Sequence, residues 1–215
     1  MAILAGRQDL KGESDSVWLA IKELGPNSRH CGIVYRGSDG HFYFVHLAFH
    51  FDLRNQLEDS TYKWSRVGLD ADNQTVLAAF AMVLGGNGPT IPYGFNSDGI
   101  IFDPSTGKLA PPPSGRGLTC ATFVLKFLET YGFQLLDSSN WLERPDDPAW
   151  RDWIVENIAN YSKDPRHAES IIAAPLGLRI RPEEIIGAAS RPFQEWPVSF
   201  DAALILAKQV LAELA

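Results

Sequence analysis

The chain contains almost no cysteine. Only Cys31 and Cys120 occur in 215 residues, at no repeated spacing. A zinc ribbon needs several thiolate or imidazole ligands and a disulfide scaffold needs paired thiols, so neither organises this fold. No run of about 20 apolar residues is available to span a bilayer as a helix. Positive charge is not in excess. The net charge is −7, which disfavours nucleic acid or an anionic membrane as a general partner. The first ten residues lack a basic start followed by an apolar core, so no leader is expected, and scarce cysteine points to a reducing, cytoplasmic setting. Internal repeats and low-complexity stretches are also missing. What is present is apolar and aromatic mass. At 45% hydrophobic and 11% aromatic, the chain can bury a substantial core.

Cys120 opens a segment with helical signals. Thr119 is a good N-cap, Gly132 a good stop, and Cys120, Phe123, Val124, Phe127, Leu128 and Tyr131 share one apolar face. The sulfur therefore sits in the first turn, where the helix dipole and unpaired N–H groups favour a thiolate. Two readings compete: an activated nucleophile, or a buried cysteine acting as a small hydrophobe.

Upstream, residues 30–37 and 41–49 read as paired strands around the turn Ser38-Asp39-Gly40. A three-residue loop with left-handed Gly40 pairs Gly37 with His41 and Gly32 with His46. His30 then lies diagonal to His46 on the same face, roughly 7–8 Å away along the backbone. One imidazole can serve as base and the other can orient it. Cys31 points to the opposite face with Ile33 and Tyr35, which marks it as a core residue.

These residues carry a resemblance. His30-Cys31-Gly32-Ile33-Val34-Tyr35-Arg36-Gly37 resembles the histidine strand of NlpC-type cysteine peptidases, a papain-like superfamily. Val45-His46-Leu47-Ala48 is similar to the next strand of that family, which carries the third polar residue of the triad. An apolar helix, Gly85-Gly86, Pro92-Tyr93-Gly94 and then the Cys120 helix are similar to the other half. The histidine strands come first here, so the order resembles the circularly permuted branch that includes lecithin–retinol acyltransferase-like proteins. Cys120-Ala121-Thr122-Phe123-Val124 fits its nucleophile helix. The resemblance implies an α+β fold, with a permuted papain-like antiparallel sheet packed on the helix that bears the nucleophile. The resemblance covers roughly residues 28–135, and the expected organisation is a permuted papain-like catalytic domain at residues 1–140 with a helical extension at 141–215 packed on it. It also gives the Tyr93 hydroxyl a role facing the nucleophile. An aromatic anchor is the competing role for that residue.

The chemistry expected is thiol acyl transfer. Cys120 attacks, His30 takes its proton, and His46 holds His30. The Cys120 N–H holds the oxyanion, with Tyr93 and Thr119 as further oxyanion or substrate contacts. This needs neither metal nor organic cofactor. The partner is a peptide or acyl substrate, with an amide or isopeptide bond as first choice. An acyltransferase or lipid or thioester esterase is the alternative, and a non-catalytic binding or immunity-type module is the third reading. The spacing of His46 and His50 would suit a metal on a helix, but on a strand those residues stand about 13 Å apart, which disfavours zinc. His50 is read as a pocket-mouth or ordinary loop residue, His167 as part of a surface turn, and Arg179, Arg181 and Arg191 as solvated helix-end charges.

The remaining expectations are coarser. A short helix is expected at 15–24, irregular chain at 52–72, and a helix buried all round at 74–84. Helices are also expected to start at Asp147, Arg181 and Ser199. The C-terminal helices are read as a cap on the core, with recognition as the other option. The loop 96–116 carries Pro111-Pro112-Pro113 and cannot enter a sheet, so it is expected to wall the cleft above Cys120.

Overall fold

The computed structural model describes residues 2–6, 16–25, 28–59, 61–161, 164–175 and 177–215. Asp15, at the start of the expected N-terminal helix, and Lys163, beside His167, lie outside them. The fold is α+β. Strands β1 (Val17–Gly25), β2 (Ser28–Arg36), β3 (Phe42–Phe49), β4 (Asp52–Leu57) and β5 (Lys63–Arg66) form one antiparallel sheet in the order β4-β3-β2-β1-β5.

Residues 17–25 are thus a strand, where a helix was expected. β1 lies between β2 and β5 and is buried on both faces, so Val17-Trp18-Leu19-Ala20-Ile21 reads as an unbroken apolar run. Periodicity cannot separate such a strand from a buried helix. The region expected to be irregular holds both edge strands. β4 is largely exposed and β5 has only four residues, too little patterning for recognition.

The β2–β3 hairpin has the three-residue connection. Ile33 pairs with Val45 and Tyr35 with Tyr43. The Gly37 N–H donates to the His41 carbonyl at 2.8 Å, and Gly40 is left-handed at φ 82°.

The two sheet faces carry different cores. Cys31, Ile33, Tyr35, Val45 and Leu47 face helices α1 (Ala71–Asn87) and α2 (Cys120–Glu129). The other face carries Trp18, Val34, Phe42, Phe44 and Trp64, with His30 and His46 against Phe44. Asp70 caps α1 by accepting from the Asn73 N–H, and Val76 and Met82 of α1 reach solvent, so α1 is not buried all round. The C-terminal helices are α3 (Asp147–Asn160), α4 (Pro165–Ala173), α5 (Pro182–Ala189) and α6 (Phe200–Leu214). Ile154, Ile158, Ile185, Ile186 and Val210 join the same core as α2. No described helix is long and apolar enough to cross a membrane.

Candidate active site

Thr119 builds the start of α2. Its hydroxyl accepts from the Thr122 N–H at 3.2 Å, and its own N–H donates to Thr122 Oγ1 at 2.7 Å. Both groups are engaged in this capping box, so the Thr119 N–H is not a free oxyanion donor. The box fixes Cys120 as the first helical residue.

The sulfur is buried between two partners. Those partners are the Cys31 and His30 side chains. The neighbouring Cys31 thiol is the largest influence holding the Cys120 thiol well below its ordinary value. Burial opposes it, and the charge and hydrogen bond of His30 add to it. Burial pushes the Cys31 thiol up, and the neighbouring Cys120 sulfur pushes it further. The two thiols are thus pushed in opposite directions, Cys120 down and Cys31 up. The strand alternation correctly turns Cys31 away from the histidines. It does not reveal that α2 docks on that same face and sets Cys31 against Cys120.

His30 Nε2 lies 2.7 Å from His46 Nδ1, and both rings are buried. With Nε2 engaged, Nδ1 is the His30 nitrogen left for Cys120. Burial, and then the charge of His30, lower the His46 pKa to about 3. His46 is thus neutral across the physiological range, and the His30 Nε2–His46 Nδ1 hydrogen bond joins the two rings. Gly32 makes this contact possible. It pairs across from His46, and a Cβ there would stand 2.6 Å from His46 Cβ and 2.7 Å from the Phe44 ring.

Tyr93 reaches the site from a bridge with Leu118, two residues before Cys120. The Leu118 N–H donates to Pro92 O at 2.9 Å, and the Gly94 N–H to Leu118 O at 3.2 Å. Gly117 permits this approach, because a Cβ there would meet the Tyr93 carbonyl carbon at 2.6 Å. The Tyr93 ring lines the same cleft as Cys120, and burial holds its phenol well above its usual range. Both the anchor and the site-facing roles of Tyr93 are thereby present in one residue.

Two histidines bracket the Tyr93 backbone. The Tyr93 N–H donates to His50 Nδ1 at 3.1 Å, and His167 Nε2 lies 2.8 Å from the Tyr93 carbonyl. The two rings stack at 4.6 Å, and His50 Nε2 is 3.5 Å from Asp164. Burial, then the charge of His167, lowers the His50 pKa, which suits a ring that must keep Nδ1 unprotonated. His167 sits on α4 and is tied to Tyr93, so it is not part of a bland surface turn. His46 and His50 serve separate clusters, and no group of three His, Cys, Asp or Glu among the described residues is placed to hold a metal.

The cleft beside Cys120 is walled by Trp150, Trp153 and Ile154 of α3 and by residues 179–183. The loop 96–116 contributes nothing to it. That loop packs against α1 and α4 instead: Phe102 is buried, Gly107 lies against Leu84, and Ser114 hydrogen-bonds Ser170 at 2.9 Å. Arg179 and Arg181 are not free helix-end charges. Arg179 meets Asp147 at 2.9 Å, Arg181 meets Asp146 at 2.7 Å, and Arg29 meets Glu183 at 3.1 Å. A sequence signal for this wall existed. Trp150, Trp153 and Ile154 lie on one face of a helix opened by Pro148.

Comparison with family models, curated proteins and solved structures yields no match.

Proposed function

We propose that the protein is a thiol hydrolase working through Cys120, His30 and His46 in a permuted papain-like arrangement. The single observation that carries this reading is the buried chain from Cys120 to His30 to His46, with 2.7 Å between the two rings, at the N-terminus of α2. The Cys120 thiolate attacks a substrate carbonyl and forms a C–S bond. The His30 imidazolium gives its proton to the leaving amine as the C–N bond breaks. His30 then takes a proton from water, the resulting hydroxide attacks the thioester, and the C–S bond breaks to release the carboxylic acid and restore the Cys120 thiolate beside the His30 imidazolium. His46 accepts from His30 throughout and steadies the imidazolium. The oxyanion falls near the Cys120 N–H and the Tyr93 hydroxyl. The same steps serve an ester or thioester. The test is labelling with acyl-electrophile probes bearing peptide or lipid groups, followed by mapping of the modified residue. Label on Cys120, lost in Cys120→Ala and slowed on the order of 10²-fold in His30→Ala, is expected. Equal labelling of Cys31 and Cys120, or no effect of His30→Ala, would overturn the reading.

A further inference from the structure

We propose that the cleft between α3 and the β1 end is an acyl-side pocket for one neutral, ring-sized apolar group, with Trp153 as its specificity-determining residue. The inference rests on the thiol hydrolase reading for its chemistry, but not for its geometry.

Charge is the first argument. Arg29, Arg179 and Arg181 line the cleft together with Glu183. Each guanidinium is already in an ion pair: Arg29 with Glu183, Arg179 with Asp147, and Arg181 with Asp146. The charged lining is matched within the wall, so a charged substrate group would have to lose water without gaining an unpaired partner. A neutral group does not meet that penalty.

Exposure is the second argument. Trp153 is 57% exposed and Leu24 59%, and both stand on the cleft lining. Trp150, by contrast, is held by Arg179 at 4.3 Å and by Phe95 at 5.2 Å. Trp153 therefore presents a large apolar face next to a nucleophile, in a cleft otherwise faced by Phe49, Ala121 and Ile180. Aromatic faces in such positions contribute by burying area against a second ring or an aliphatic chain.

Volume is the third argument. The cleft holds about 150 Å³, close to the size of an apolar cavity that accepts one benzene molecule. A phenyl ring or a short branched chain fills it. A long fatty acyl chain would extend into water, where its burial gains nothing. The site thus favours an acyl group such as an aromatic or branched amino-acid residue over a lipid tail.

The test compares p-nitrophenyl acetate, phenylacetate, monosuccinate and palmitate with the full chain. The expected kcat/KM for phenylacetate exceeds those for acetate and monosuccinate by about tenfold or more. In Trp153→Ala the phenylacetate-to-acetate ratio should collapse toward one. A preference for palmitate or monosuccinate, or an unchanged ratio in Trp153→Ala, would overturn the pocket while leaving the hydrolase reading intact. A second measurement uses Cys120→Ser and follows the Trp153 indole N–H signal during titration with phenylacetamide and with succinamate. Saturable movement with phenylacetamide alone supports the pocket even if no ester is turned over, in which case the hydrolase reading is the one that fails. No movement with phenylacetamide overturns the pocket.

Discussion

His46 stands beside His30 with its ring stacked on Phe44. Its Nδ1 is hydrogen-bonded to His30 Nε2, while its Nε2 is buried with no partner. Burial is thus the dominant influence on it, and its pKa falls to about 3. The sign of the stability effect follows. The unfolded chain binds this proton near the ordinary histidine value of about 6.5, and the folded chain resists it until about pH 3. The contribution of His46 is complete above 6.5 and is lost as pH falls through that window. His46→Leu removes it. The urea midpoint of the wild type should therefore drop more between pH 6.5 and 4 than that of His46→Leu. In the same variant, Cys120 alkylation by iodoacetamide at pH 7 should slow on the order of 10²-fold, because His30 loses the acceptor that holds its tautomer. Equal pH slopes in the two proteins would remove His46 from this role. The residue pair itself was legible in the sequence. Strand alternation and the left-handed Gly40 set the register locally, and the register sets the shared face. The contacts of Cys31 with Cys120, and of Tyr93 with His50 and His167, were not legible. They join residues 43 and 74 positions apart in the Tyr93 bracket alone, and only the docking of whole elements brings them together.

Elements were readable where their ends carried chemistry. The Thr119 cap, the Pro148 and Pro182 helix starts and the Ser199 cap all mark true helix beginnings. β1 was misread because a central strand has no polar face. The loop 96–116 was misplaced for a different reason. It precedes α2 in sequence, but closeness along the chain is not closeness in space. Its apolar residues decide otherwise: Ile100 and Phe102 are buried in the core, with Phe102 edge-on to Phe123. Leu109 bridges back to Phe102, and Asn87 donates to the Thr106 carbonyl. Shortening the loop between Ser105 and Ser114 therefore removes the support of a buried aromatic. The melting temperature should fall by several degrees, as expected for a loss of about 1–3 kcal/mol. The phenylacetate-to-acetate ratio should stay within about twofold, because α3 forms the cleft wall. Differential scanning fluorimetry and the ester panel read the two outcomes. A stable variant with altered selectivity would return the loop to the cleft.

At the scale of the molecule, buried ion pairs tie the C-terminal helices to the sheet. Arg29 of β2 meets Glu183 of α5, with side chains only 11% and 3% exposed. Arg144 meets the buried Glu184, and Asp147 of α3 receives Arg179 and Arg181. Burial holds the Glu184 carboxyl above its usual range, so even a paired charge is costly here. Such a network does not raise stability in proportion to its size, since desolvation offsets most of the attraction. Its effect is positional: it seats residues 179–183 over Cys120 and makes the helical layer part of the site. The sequence alone could not show this, because Arg179 and Arg181 resemble solvated helix-end charges until their carboxylate partners, more than 30 positions away, are placed beside them. The energetic asymmetry gives a direct test. Arg29→Met leaves Glu183 buried without its cation and should lower the unfolding free energy by about 3–5 kcal/mol. Arg29→Met combined with Glu183→Leu removes both charges and should restore most of that loss, because two apolar side chains of similar volume fill the gap. Urea unfolding followed by tryptophan fluorescence measures the cycle. Trp18 and Trp64 report on one sheet face and Trp150 and Trp153 on α3 over the other, and the single sheet common to both cores requires one transition for all of them. Two separated transitions, or losses that simply add in the double variant, would show that the helical layer is an independent attachment and that the ion pair does not couple it to the site.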